Sequence, residues 1–170
     1  GGVFNANNGT FTSTTFTQSN GTFNGGTGAF TLSGAYSLTG GTFTKTTNTL
    51  ACTTLTISGG IFNGTSGNIT PSGAFLQTAG AFTNTTNAFT STTLSVSGGT
   101  FNGSSGSITL STSFSQTGGS FTSTSGNLQV PGTNTTVFSI TGGAFYHNSG
   151  TVTSSGASTP TITTSVGNRL

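Results

Sequence analysis

The sequence predicts an all-β fold, a parallel β-solenoid of about eight coils with 19–20 residues in each coil. Three observations lead to this prediction. A Gly-x-Phe pattern returns every 19 or 20 residues, apolar and polar residues alternate in short segments, and no segment has the 3.6-residue period of a helix. Since 19–20 is not a multiple of the six residues in a hexapeptide solenoid, which is left-handed, a right-handed coil is favoured.

The first predicted strand of each coil contains the phenylalanine of the Gly-x-Phe pattern. The spacings between successive copies are 19, 20, 19, 20, 19, 20 and 24 residues. Ser and Thr alternate four residues before the Phe until the last copy, so the repeating unit is a pair of coils of about 39 residues. We expect these residues to stack as a core ladder, because equivalent positions of parallel coils lie on top of one another. The predicted ladder is Phe4, Phe23, Phe43, Phe62, Phe82, Phe101, Phe121 and Phe145.

A corner is predicted five residues after each of these phenylalanines, where every coil has Gly or Asn. Both residue types tolerate a positive φ, so the pattern predicts a left-handed residue at the corner. The predicted corner positions are Gly9, Gly28, Asn48, Gly67, Asn87, Gly106, Gly126 and Gly150.

Two further apolar slots complete a three-sided coil. The second strand is marked by Phe11, Phe30, Leu50, Ile69, Phe89, Ile108, Leu128 and Val152. The third strand is marked by Phe16, Tyr36, Leu55, Phe75, Leu94, Phe114 and Phe138, and every second coil has one extra residue just before this slot. Gln18, Gln77 and Gln116 stand two residues after the third slot, where other coils have Leu, Ile or Val. If this position faces inward, the three amides need backbone partners.

The repeats are predicted to form one solenoid domain over residues 1–153, with an inserted loop near 131–135, at Pro131-Gly132-Thr133-Asn134. The pattern fades over residues 154–170. This tail is predicted to be either an irregular last coil, with Ile162 and Val166 facing inward, or an extended C-terminal arm.

The composition argues against catalysis. The sequence has no Asp or Glu, two Lys or Arg residues and one His. General acid–base chemistry, glycoside hydrolysis and calcium binding all rely on carboxylates. A formal charge of +2 does not support nucleic-acid binding, and no segment reaches the roughly 18 apolar residues of a membrane span. We therefore expect no enzyme activity, no catalytic, metal or cofactor-binding residues, and no cofactor.

Two single residues need an interpretation. His147 stands two residues after the ladder Phe, in the slot of Lys45, Asn84 and Ser123, and is interpreted as an exposed polar residue at a corner. Cys52 takes the place of a repeated serine, and is interpreted either as a near-isosteric replacement or as a residue for an intermolecular disulfide. Seven Asn-x-Ser/Thr sequons are acceptors for surface glycans, at Asn8, Asn20, Asn63, Asn68, Asn84, Asn102 and Asn134.

The segments "GGTFNGSSGSITL" and "GGVFNANNGTFTSTTF" resemble the Gly/Thr/Asn-rich β-strand repeats of secreted bacterial surface proteins. More distantly, the coil is similar to those of filamentous-haemagglutinin-type adhesins. The resemblance covers residues 1–153 and implies an extracellular or cell-surface fibre, matrix or adhesin stalk, with no site residues to carry over.

The predicted function is that of a structural subunit of a self-assembling extracellular fibre. The sequence opens on a full repeat with no polar cap, so the coil ends are expected to stack head to tail as a homo-oligomer, with no nucleic-acid partner and no membrane span. One alternative is a stalk segment of a surface adhesin or autotransporter-like passenger. Another is an ice-binding protein, because Thr occupies six of eight positions eight residues after the ladder Phe.

Overall fold

The computed structural model describes residues 1–130 and 137–154 together with the strand Ile162–Thr163. Every secondary-structure element in this part of the chain is a β-strand, and every strand pair is parallel. The predicted all-β parallel solenoid is therefore confirmed, with about seven turns of roughly 20 residues. The hand of the coil stays a prediction. The expected loop near 131–135 and most of the tail after residue 154, including Val166, lie outside the described residues.

The first face is one sheet that the chain visits once in every coil, and we number the coils 1–8 by its strands. Its eight strands are β1 (Val3–Asn5), β4 (Thr22–Asn24), β7 (Thr42–Thr44), β10 (Ile61–Asn63), β13 (Ala81–Thr83), β15 (Thr100–Asn102), β17 (Ser120–Thr122) and β20 (Ala144–Tyr146).

The second and third faces belong to one 14-stranded sheet, because two strands run continuously from one face to the other. These are β14 (Phe89–Val96) and β16 (Ile108–Gln116). The second face further contains β2 (Phe11–Ser13), β5 (Phe30–Leu32), β8 (Leu50–Cys52), β11 (Ile69–Pro71), β18 (Asn127–Val130) and β21 (Thr151–Ser154). The third face further contains β3 (Phe16–Gln18), β6 (Tyr36–Leu38), β9 (Leu55–Ile57), β12 (Ala74–Gln77), β19 (Phe138–Ile140) and β22 (Ile162–Thr163).

Successive coils pair in a register that places equivalent residues on one another. On the first face all seven pairs align Phe with Phe, beginning with Phe4 on Phe23. The eight rings stack in seven successive pairs with centroids 4.6–5.3 Å apart. The extra residue of the longer coils is absorbed beside the third face, where the register of β14 on β16 shifts between Ser91 and Thr93. The polar backbone is thus paired between coils while one aromatic column fills the interior.

The glycine of Gly-x-Phe forms the corner between the third and first faces. In coils 2–8 this glycine has a φ between 68° and 79°, as at Gly21 and Gly143. A side chain there would also lie 2.4–2.7 Å from the carbonyl oxygen of the equivalent glycine in the coil before. Both the left-handed backbone and the close approach therefore require glycine at this position.

The predicted left-handed residue five positions after the ladder Phe is wrong in seven coils, because only Gly67 has a positive φ there. Close approach explains the glycines better in several coils. A Cβ on Gly28 would lie 2.0 Å from the Gly9 carbonyl oxygen, and one on Gly106 would lie 1.8 Å from the Asn87 carbonyl oxygen. The positions without a positive φ are Gly9, Gly28, Asn48, Asn87, Gly106, Gly126 and Gly150.

Candidate functional site

The first coil presents an open apolar end. Val3 and Phe4 are 66% and 52% exposed, whereas Phe23, the next ring of the same column, is 4% exposed. Phe11 and Phe16 are half-buried beside them, and all four side chains line a cleft of about 480 Å³. These residues, together with the outer edges of strands β1, β2 and β3, are called the first-coil end below. Its apolar side chains and unpaired strand edges are what another β-coil would cover.

Coil 8 differs from the first-coil end in how far its core is covered. Phe145, the last ring of the column, is 5% exposed, although Tyr146 and Val152 are 56% and 36% exposed. The edge of β20 follows the same register as the other first-face strands, with Phe145 on Phe121. Among the described residues, no strand pairs with the outer edge of β20, and coil 8 has less bare aromatic surface than coil 1.

The outer side of the second face carries rows of small uncharged residues. Six residues between the second and third faces alternate strictly between Thr and Ser, and five of the six are exposed. They are Thr14, Ser33, Thr53, Ser72, Thr92 and Ser111. The register shifts along this row, because Ser33 N donates to Ser13 O whereas Thr53 N donates to Gly34 O. The face is therefore polar and uncharged, but this row is not in continuous register.

A buried polar corner follows the first face in coils 3, 5 and 7. Lys45 is 1% exposed, and its ammonium donates hydrogen bonds to the carbonyl oxygens of Thr46, Asn48 and Ser66 at 2.6–2.7 Å. Desolvation by burial lowers the pKa of Lys45 from 10.5 to about 8. No carboxylate side chain exists in the sequence, so only backbone dipoles face this ammonium. The amide of Asn84 occupies the same slot two coils later and is equally buried.

The threonine after this slot closes the corner. In coil 5, Thr85 is fully buried, and its single hydroxyl proton is shared between the carbonyl oxygens of Thr65 and Gly67, which lie at 3.0 and 2.6 Å. Its hydroxyl oxygen also accepts a hydrogen bond from the Asn87 N–H at 3.2 Å. Thr46 and Thr124 are buried in the same position and cap the equivalent N–H of their own coils. The corner is thus a structural network of satisfied backbone groups.

The three glutamines face inward, and their amide nitrogens find the backbone partners that burial requires. Gln77 Nε2 donates to the carbonyl oxygens of Gly80 and Thr100 at 3.2 and 3.0 Å, and Gln18 and Gln116 bond in the same way. The Oε1 atoms of all three are buried without a hydrogen-bond partner. These amides therefore tie the third face to the first face and leave an acceptor unused.

The two single residues lie in different surroundings. His147 is exposed at the corner of coil 8, whereas Lys45, Asn84 and Ser123 of the same slot are buried. Cys52 is 4% exposed, and desolvation raises the pKa of its thiol to about 12. A buried, protonated thiol fits the serine-replacement interpretation better than an intermolecular disulfide.

Sequence reasoning missed one column of the core and the buried polar corner. The missed column lies two residues after the second apolar slot and contains Leu32, Cys52, Pro71, Ser91, Leu110 and Val130, all buried. Its mixture of polar and apolar types hides it from a hydrophobicity pattern. The corner was missed because lysine is almost never fully buried. Its only signal is the alternation of glycine with a side chain two residues after the ladder Phe.

No group of three or more His, Cys, Asp or Glu residues that could hold a metal occurs within the described part of the chain. Within the same residues, no helix is long and apolar enough to cross a membrane. No family model matches the sequence, and no curated protein or solved structure matches it either. The class that the structure defines is a β-solenoid repeat protein, whose distinctive surfaces are its coil ends and its uncharged outer faces.

Proposed function

We propose that the chain is a structural subunit of an extracellular fibre and that copies join head to tail, with the first-coil end of one copy covered by coil 8 of the next. The observation that carries the proposal is the exposed start of the aromatic column. Phe4 is 52% exposed, and every later ring of the column is at most 5% exposed. Burying such a ring fully contributes about 1.5–3 kcal/mol, so this end gains from being covered.

The repeat itself supplies the geometry of the joint. At each of the seven junctions within the chain, the residue before the ladder Phe donates its N–H to the carbonyl oxygen of the corner glycine in the coil before. Thr22 N to Gly2 O, at 2.9 Å, is the first of these bonds. In a head-to-tail joint the equivalent bond runs from Val3 N to Gly143 O of a second copy, and Phe4 lies over coil 8. The contact repeats without closing, which gives a fibre.

The composition supports the structural role and the extracellular location. With no acidic residues and two basic ones, stacked copies do not repel one another by charge. The outer faces are rich in Thr, Ser and Asn, and their sequons are acceptors for glycans. Since general acid–base catalysis relies on carboxylates, which the chain lacks, the proposal includes no enzymatic activity and no cofactor.

Negative-stain electron microscopy of the purified chain tests the proposal. We expect continuous fibres with an axial repeat of about 38 Å for eight coils at about 4.8 Å each. Phe4→Asp should abolish the fibres because it places a charge in the joint, and Thr31→Asp, on the outer second face, should leave them intact. Discrete rods of one copy with free ends would refute the fibre and favour a stalk segment of a surface adhesin or autotransporter-like passenger.

The outer second face supports a second candidate function, ice binding. The threonine row eight residues after the ladder Phe stacks in register, with Thr12 on Thr31 and Thr90 on Thr109, and an array of threonine hydroxyl and methyl groups can order water. The row is interrupted by Ala51 and Gln129. A thermal-hysteresis measurement separates the two functions. A fibre subunit without ice affinity gives no hysteresis, and an ice binder loses its hysteresis when the exposed Thr31 and Thr90 are replaced by Lys.

A further inference from the structure

The corner after the first face exists in two backbone types. The open type, in coils 1, 2, 4, 6 and 8, has one residue of positive φ, which stands three to five residues after the ladder Phe. The packed type, in coils 3, 5 and 7, has no such residue and instead buries a threonine. The left-handed residues of the open corners are Asn7, Gly26, Gly67, Ser104 and Ser149. The buried threonines of the packed corners are Thr46, Thr85 and Thr124.

A packed corner always follows a coil with glycine two residues after the ladder Phe. A Cβ on Gly25, Gly64 or Gly103 would lie 2.3–2.5 Å from backbone atoms of the packed corner that follows. Such a contact cannot be relieved by turning a side chain, because the opposing atoms belong to the main chain. A side chain in this slot and a packed corner in the next coil therefore exclude each other.

The converse also holds within the chain. Coils 1, 3, 5 and 7 carry a side chain in this slot, and each is followed by an open corner. Together the two observations account for all seven junctions between the eight coils. The side chains of the slot are those of Ala6, Lys45, Asn84 and Ser123.

The two terminal coils, 1 and 8, depart from the alternation of packed and open corners, and their departures are compatible with stacking coil 1 on coil 8. Coil 8 has an open corner but carries His147 in place of the glycine of coils 2, 4 and 6, so a coil stacked on it must have an open corner. Coil 1 has the 19-residue length of coils 3 and 5, whose corners are packed, yet its own corner is open, with Asn7 at φ 52°. In a head-to-tail joint these two coils face each other.

We infer that the joint is specified by this corner and that the partner of the first-coil end is coil 8 of a second copy of this chain. The inference rests on the proposed fibre. His147 admits the open corner of coil 1 and rejects the packed corners of coils 3, 5 and 7. The same contact excludes annealing onto a broken copy that begins with coil 3, 5 or 7.

A corner graft tests the inference. Coil 1 receives the packed corner of coil 5 through Asn5→Thr, Ala6→Asn, Asn7→Thr, Asn8→Thr and Gly9→Asn. We expect the fraction of sedimenting polymer to fall at least tenfold, while far-UV circular dichroism stays that of a β-solenoid. Adding His147→Gly to the graft should restore polymer, because a packed corner tolerates glycine below it. His147→Gly alone should polymerise like the unaltered chain.

A second graft is the matched control. Coil 1 receives the open corner of coil 6 through Ala6→Gly, Asn7→Ser and Asn8→Ser, and should polymerise normally. Undiminished polymer from the packed graft would overturn the inference while leaving the fibre standing, and so would failure of His147→Gly to rescue a folded graft. Absence of polymer from the unaltered chain would overturn the proposed fibre itself.

Discussion

Replacing Gly64 by alanine isolates the steric rule on which the double repeat depends. The new Cβ would lie 2.5 Å from the Asn84 carbonyl carbon and from the Thr83 carbonyl oxygen. Gly64 does not have a positive φ, so alanine causes no conformational strain of its own. The whole effect therefore comes from pushing coil 5 away from coil 4.

The expected loss follows from three contributions. Overpacking against main chain costs about 1–3 kcal/mol. The Gly64 N–H to Thr83 carbonyl bond, now 2.7 Å, and a neighbouring ladder bond lengthen, at about 1 kcal/mol each. The lower chain entropy of unfolded alanine returns about 0.4–1 kcal/mol. We expect Gly64→Ala to lower the free energy of unfolding by about 2–5 kcal/mol.

Urea unfolding followed by circular dichroism measures this loss, with Gly2→Ala as the control. No atom lies within 4 Å of a Cβ built on Gly2, so this variant should stay within about 0.5 kcal/mol of the unaltered chain. Both variants are compared at a concentration where the chain is monomeric, because Gly2 belongs to the first-coil end. Equal stabilities for the two variants would refute the steric origin of the coil alternation.

Three further predictions concern the core. In the monomer, Phe62→Ala should lower the free energy of unfolding by about 3–5 kcal/mol and Phe4→Ala by less than about 1 kcal/mol. The reason is that Phe62 is fully buried whereas Phe4 is half exposed, and denaturant titration compares the two variants. The pKa of Lys45 is about 8 in the folded chain and 10.5 without burial, so the unfolded chain binds more protons between these two pH values. Stability measured by thermal melting should therefore rise from pH 8 to pH 10.5, and Lys45→Met should remove the rise. Gln77→Ile should leave the free energy of unfolding from denaturant titration unchanged or raise it, because it removes an unpartnered buried oxygen and other coils have Ile in that slot. A loss above about 2 kcal/mol would show that the two amide hydrogen bonds dominate.

The fold could be predicted because its main signal is a period. Identical slots in a parallel stack must meet, so the spacing of Phe23, Phe43 and Phe62 is enough to place one ring above the next. The corner conformations could not be predicted from residue type. Glycine serves close approach at Gly28 and a left-handed backbone at Gly26, and the sequence does not distinguish these two reasons.

The buried corner was beyond sequence reasoning for a related reason. Lysine, asparagine and serine alternate with glycine two residues after the ladder Phe, and such residues suggest an exposed turn. The ammonium of Lys45 is held by carbonyl oxygens of its own corner, from Thr46 and Asn48. A third carbonyl oxygen, from Ser66, belongs to the next coil, so the arrangement depends on the backbone of two coils together. Only the alternation with glycine carried information about it.

The pairing of coils into a 39-residue unit has a physical cause that reaches beyond this corner. A parallel ladder fixes the distance between coils at about 4.8 Å, and that spacing cannot hold both a folded-in threonine and a Cβ on the coil below it. Adjacent coils must therefore differ even though their strands are alike, and any packed corner requires glycine in the coil before it. A solenoid built in this way distinguishes one coil edge from another without charge, because the shape of each corner decides which coil can stack on it.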